Sequence, residues 1–363
     1  MRPVSRLLLG ILVTVGVLSL AAGGRAEPPK AAGQPPEAIR FVMPTKAIAP
    51  LATNYLIPEY LGYYGAGGLT VQFMPVGSVA AALAALAAGR AEFAALPASD
   101  VLEIAARGGM PDVKAFYEMT YPFKYGIAVN PSSSIHSLAE LRGKMVGVSN
   151  FGTSEYVMGQ ALLRAAGLDP TNDVHWLAVG EGVTAGIALK EKRIAAYVYW
   201  DTGFGQIEAA GIPLRFLPIK DPPDVGGIFI FARTSYLKDH PAVAIAVGKA
   251  IAESSLFIQT NPRAAAYAYV KEFPSAAPKV ANLQKQVDAL AVPIKWRMPL
   301  YRSKDPALRQ WGQISGSEWA TTAAFLHLTN VGDLTRFYTN DLIGPINQFD
   351  PTAVVQHART APQ

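Results

Sequence analysis

The run VQFMPVGSVAAALAALAAGRAEFAAL, Val71 to Leu96, decides the fold, because the chain writes it again 103 residues later as VHWLAVGEGVTAGIALKEKRIAAYVY, Val174 to Tyr199. Seven of the 26 ungapped positions are identical, among them Val76/Val179, Gly77/Gly180 and Arg90/Arg193. Each copy is an apolar run, a glycine, an alanine-rich helical pattern and a second apolar run. That order reads as strand, turn, helix, strand. A βαβ unit written twice at a constant offset predicts two α/β lobes of one design.

The flanking segments extend the pattern. IRFVM (39–43) reads as a strand and is followed by a helical pattern that stops at Gly62. After the first copy, SDVLEIAARGG reads as a helix with Ser99 in the capping position, and VKAFYEM as a strand. From about Tyr125 the order restarts. GIAVN and KMVGVS are strands, and NFGTSEY opens a helix with Thr153 or Ser154 as cap. IFIFA, beyond the Pro-rich LRFLPIKDPPDV, is a further strand, and the rest reads as helices over 241–260, 262–272, 279–292 and 306–329. The expected architecture is two α/β lobes, each a parallel sheet covered on both faces, with a helical C-terminal extension. Lobe one takes 39–122 plus 223–350, lobe two takes 123–222, and 351–363 is a flexible tail. Crossings near Met119–Tyr125 and Leu217–Gly226 would form a hinge, a standard device for closing on a ligand.

Composition narrows the setting. The 363 residues are 50% hydrophobic and 16% charged, a globular balance with room for about two domains. Residues 1–26 differ: Arg2 and Arg6 precede LLLGILVTVGVLSLAAG, and small residues surround Arg25. These are the parts of a cleaved secretory leader, followed by a flexible spacer over 27–38; a membrane anchor is the competing reading. Losing the leader takes the net charge from +5 to +2, so the basic pI of about 9.2 gives no support to nucleic-acid binding. There is no cysteine, hence no disulfide and no thiolate nucleophile, and the five scattered histidines show no metal-ligand spacing. No cofactor and no metal are expected, and a monomer is.

In open α/β sheets ligands lie beyond the carboxyl ends of strands, against helix N-termini. Lobe one then offers Thr45 and Lys46 after its first strand, Gly77 and Ser78 after its second, and Ser99 and Asp100 after its third. Lobe two offers Asn150 to Ser154, Gly180 and Glu181, and Trp200, Asp201 and Thr202. Tyr125, Phe151 and Trp200 can add an aromatic wall. Each residue also has a bland role: Ser78, Ser99 and Thr153 as caps, Trp200 as core, Lys46 as solvated surface, Glu181 as partner of a helix dipole. One motif points elsewhere. Gly180-Glu181-Gly182-Val183-Thr184-Ala185 matches the dinucleotide fingerprint G-x-G-x-x-A, with Asp201 about twenty residues on. The Gly77 copy lacks the second glycine, and the fingerprint belongs to the first strand of its fold. No G-x-S-x-G elbow or phosphate-binding loop is present.

PEYLGYYGAGGLTVQFMPVGS, ALAAGRAEFAAL, SLAELRGKMVGVSNFGTSEYVMGQALLRAAGL and YVYWD together resemble the SsuA/TauA/NMT-like periplasmic binding proteins of ABC importers for sulfonates, taurine, nitrate and thiamine precursors. The resemblance spans nearly all of 39–235 and implies a type II periplasmic binding protein fold, a small polar, anionic or heterocyclic ligand between the lobes, an inner-membrane permease as partner, and no enzymatic activity. By position it implies pocket residues at Thr45 to Ala47, Ser78, Ser99, Thr153/Ser154 and Trp200/Asp201. The chain departs from the family with W-D-T in place of W-D-P and with G-Y-Y-G-A-G-G-L around Gly65. An envelope enzyme using the Gly180 loop and a sensor domain are the alternative functions.

Overall fold

The computed structural model describes residues 36–121, 124–220 and 222–363. The leader and most of the spacer lie outside these residues. Among the described residues, ten strands form two five-stranded sheets. In the first, β1 (Glu37–Met43), β2 (Leu69–Pro75), β3 (Phe93–Pro97), β4 (Val113–Thr120) and β10 (Ile228–Arg233) lie in the order β2-β1-β3-β10-β4. In the second, β5 (Tyr125–Val129), β6 (Met145–Val148), β7 (His175–Ala178), β8 (Ala196–Trp200) and β9 (Arg215–Phe216) lie in the order β7-β6-β8-β5-β9. The orders are equivalent, strand for strand. β1 begins at Glu37, so the last residues of the expected spacer are strand.

The sheets are mixed, where all-parallel sheets were expected. β10 is antiparallel to β3 and β4, and β5 is antiparallel to β8 and β9. The reason is connectivity. Each of these strands enters its half from the other half, so it starts at the end where its neighbours finish.

Helices cover both faces. Short helices α1 (Thr53–Leu56) and α2 (Tyr63–Ala66) break what reads as one helix in the sequence, with Gly62 at φ 75° between them. Then come α3 (Val79–Ala87), α4 (Ala98–Ala106), α5 (Ser154–Ala165), α6 (Val183–Lys190), α7 (Asp201–Ala209), α8 (Thr234–Asp239) and α9 (Pro241–Thr260). The extension adds α10 (Pro262–Glu272), α11 (Leu283–Arg297), α12 (Gly316–Phe325), α13 (Ile343–Ile346) and α14 (Pro351–Thr360). Strand alternation divides the core. Phe41 and Met43 face the α9–α11 side and Val42 the α3–α4 side. Ala196 and Val198 face α5, whereas Tyr197 and Tyr199 face α6 and α7.

α9 is long and apolar enough to cross a membrane, yet Val247, Ile251, Phe257 and Ile258 are buried against neighbouring helices. A Cβ added at Gly248 would come 2.5 Å from Ile346, so glycine there lets α13 pack closely. The expected tail over 351–363 is mostly α14, which docks on α9. Asp350 accepts the Thr352 N–H (2.8 Å), Pro351 opens the helix, and Val354 and Ala358, one turn apart, are buried.

Candidate functional site

The duplicated units meet face to face. Gly77 and Gly180 both hold φ 81° between strand and helix, and each closes the same turn: Val76 N–H donates to Met43 O and Val179 N–H to Val148 O, both at 2.9 Å. The crossings match as well. Ala98 N–H donates to Gly227 O (3.2 Å) and, 103 residues on from Ala98, Asp201 N–H donates to Lys124 O (2.9 Å). Lys124 is thus the counterpart of Gly227 in the other crossing.

Between the halves lies a cavity of about 940 Å³. Its walls are the loop after β1 (44–51), the starts of α3 and α4, Lys124, the β6–α5 loop with the first residues of α5, the Gly180–Val183 turn, Trp200, Thr202, and one face of α11. Of the residues picked from sequence, Thr45, Lys46, Ala47, Gly77, Ser78, Asp100, Asn150, Thr153, Ser154, Glu181 and Trp200 line it.

Ser99, Tyr125 and Asp201 do not line it. α4 starts one residue before Ser99, with Pro97 in the cap position, so the Ser99 hydroxyl lies inside the first turn and donates to Asp100 Oδ2 (2.9 Å). Tyr125 is buried against Met158, Ala161, Val225 and Leu326, with the Lys124 ammonium 5.1 Å from its ring centre. Asp201 is taken by Arg297, whose Nε and Nη2 each donate at 2.5 Å to one carboxylate oxygen. The predicted caps differ too. Ser78 accepts the Ala81 N–H (3.2 Å), but the Thr153 hydroxyl donates back to Asn150 O (2.7 Å).

Three residues decide the floor and were not singled out from sequence: Lys124, Glu155 and Arg297. Arg297 carries no local signal, because α11 reaches lobe two only by packing on α7. At Gly205 of α7 a Cβ would lie 2.6 Å from Pro293 Cα, and Trp296 Nε1 donates to Glu208 Oε2 (2.7 Å). Lys124 lies in a crossing with no periodicity. Glu155 reads as an ordinary first-turn acid.

The electrostatics are mixed. Five helix N-termini, those of α3 to α7, direct partial positive charge at the cavity, and α4, α5 and α7 each carry an acid in the first turn. Burial pushes Asp100 up to about 6, against the opposing pull of the Ser99 hydroxyl and Lys124. Burial likewise raises Glu155 to about 7, moderated by the hydroxyls of Ser149 and Thr153. It lowers Lys124 to about 7, with Arg297 repelling its charge and Asp201, Asp100 and Glu155 supporting it. Burial would also lower Arg297, but Asp201 more than offsets this. The chemistry on offer is binding: hydrogen-bond donors, both signs of charge, and the Trp200 ring, which packs on Tyr199 with centroids 4.0 Å apart. No cluster of metal-ligating side chains occurs among the described residues. β7, which precedes the Gly180 turn, is the edge strand of its sheet and not the first central strand that a dinucleotide fingerprint requires.

The NMT1/THI5-like family model matches residues 49–265, which include the end of the β1 loop, both copies of the repeat and both crossings. The chain belongs to the NMT1/THI5-like family. No curated protein matches it in sequence. Solved structures share its fold at low identity. The periplasmic aliphatic sulphonate-binding protein SsuA from Escherichia coli is 18% identical (TM-score 0.61, 81% of this chain and 86% of that one). The periplasmic nitrate-binding protein NrtA from Synechocystis PCC 6803 is 11% identical (TM-score 0.61, 90% and 99%). The ligand-binding component of an ABC-type import system from Staphylococcus aureus, solved with zinc bound, is 16% identical (TM-score 0.58, 85% and 98%). This NMT1/THI5-like chain therefore has the type II periplasmic binding protein fold.

Proposed function

We propose that the protein is the extracytoplasmic solute-binding component of an ABC importer, residing in the periplasm after removal of a leader over 1–26 and handing its ligand to an inner-membrane permease. One observation carries the reading: the cavity draws its walls from equivalent strand ends of both halves and from the crossing between them. A ligand there contacts both halves at once, so it binds the closed form better than the open one, which is the condition for ligand-driven closure. The residues proposed to hold it are Lys46, Ser78, Asn150, Thr153, Ser154 and Trp200 from the sequence reading, joined by Lys124 and Glu155. The role is capture and release of a small polar organic molecule, not catalysis.

Small-angle scattering across a panel of sulfonates, carboxylates, nitrate, amino acids and pyrimidines tests this. At least one solute should shrink the radius of gyration. An unchanged scattering profile with every solute that binds by calorimetry would refute closure between the halves.

A further inference from the structure

Two groups in the cavity are left over after the protein has satisfied its own charges. Arg297 and Asp201 neutralise each other. Lys124 does not pair: the residue is only 8% exposed and lines the cavity, yet its ammonium has no hydrogen bond and no ion pair among the described residues. The Tyr125 ring centre lies 5.1 Å from it, and Asp201, Asp100 and Glu155 favour its charge from nearby without bonding it. Glu155, fully buried and also among the residues lining the cavity, accepts the Ser149 hydroxyl at Oε1, and its Oε2 has no hydrogen-bond donor. Burying an ammonium and a carboxylate oxygen without bonding partners is unfavourable, and nothing in the fold requires it. The equivalent crossing avoids the expense altogether with Gly227 in place of Lys124.

We infer that the ligand is a small zwitterion, its acid group on Lys124 and its protonated amine on Glu155. This rests on the solute-receptor reading and narrows it. A lone anion would satisfy Lys124 and strand Glu155; a lone cation would do the reverse. Asp100, the third acid near Lys124, already accepts from Ser99. The rest of the cavity has apolar stretches around Val183, Pro278, Val280 and Leu290, which suit a carbon arm beyond the charged head.

Four probes sharing a six-carbon skeleton test the inference: 6-aminohexanoate, L-norleucine, hexanoate and hexylamine. By titration calorimetry the better zwitterion should bind about tenfold or more tightly than either singly charged probe. Glu155→Gln should remove that advantage while leaving hexanoate binding intact, and Lys124→Met should do the converse. The wild-type protein supplies a readout independent of any variant. With Lys124 and Glu155 both near pH 7, hexanoate should draw in up to about half a proton on Lys124 and hexylamine expel as much from Glu155, whereas a zwitterion should leave the two changes cancelling. Asp100, Asp201 and Arg297 face the same groups and are unchanged among the probes. Equal affinity for hexanoate and the zwitterions, or binding of none of the four, overturns the proposal. If hexanoate alone compacts the protein in scattering, the receptor reading stands and only the zwitterion falls.

Discussion

The Asp201–Arg297 pair shows how far one residue's role can depend on a distant partner. Read along the chain, Asp201 is a strand-end acid at a ligand site. In the fold it is 7% exposed and holds the guanidinium of a helix almost a hundred residues away. Removing one member leaves the other charged, buried and alone. Arg297→Met should therefore destabilise by about 3–5 kcal/mol in denaturant unfolding, and adding Asp201→Asn should recover much of that loss. Additive losses in the double variant would show that the two act separately. Trp200 is one of the residues where the sequence reading and the cavity agree. Trp200→Ala should weaken ligand binding about tenfold or more, with little change in unfolding, since the ring is only partly buried and lines the cavity. Unchanged affinity by calorimetry would move the ligand away from this wall.

At the scale of elements, the repeat is a statement about backbone. Gly77 and Gly180 hold the same left-handed conformation, and a Cβ at either would meet nothing closer than 3.8 Å or 3.7 Å respectively. Strain, not collision, is what a substitution there would add. Gly77→Ala and Gly180→Ala should each cost about 1–2 kcal/mol, and by similar amounts. A large difference between the two would mean that the turns are not equivalent. The elements were legible because strand and helix patterns are local: the apolar runs, the glycine stops and the 241–260 helix follow from neighbours along the chain. The misread elements were those with non-local causes. β5 and β10 run antiparallel because of where the chain enters each half. α14 looked like a polar tail because its apolar face is just Val354 and Ala358, which matter only once α9 lies beside them.

At the scale of the whole molecule, one charged device sits beside the hinge. Glu118, near the end of β4, and Glu318 on α12 are both buried and interact with each other. Burial, reinforced by Glu318, pushes Glu118 well above the usual carboxylate range, and burial raises Glu318 to about 7. Their folded pKa values exceed the unfolded ones, so the fold is favoured at low pH and loses stability as pH rises through about 7. Lys124, lowered to about 7, works the other way above that pH, because there the unfolded chain binds the extra proton. Glu318→Gln should lessen the decline in unfolding free energy between about pH 5 and 8, the remainder coming from Asp100 and Glu155, which burial also raises, while leaving the Lys124 contribution in place. A slope identical to that of the parent protein would mean that the pair is not titrating in that window.

What the sequence by itself determined is the double α/β plan, and it singled out many of the residues that line the cavity. These follow from periodicity and from glycines at turn positions, which report on a residue's immediate neighbours. Only the tertiary structure decided the cavity floor. Lys124, Glu155 and Arg297 differ in role because of which groups each one faces, and for Arg297 that is set by α11 folding back onto α7, where Asp201 takes its charge. Coulomb energy depends on distance in space, and no spacing along the chain encodes it.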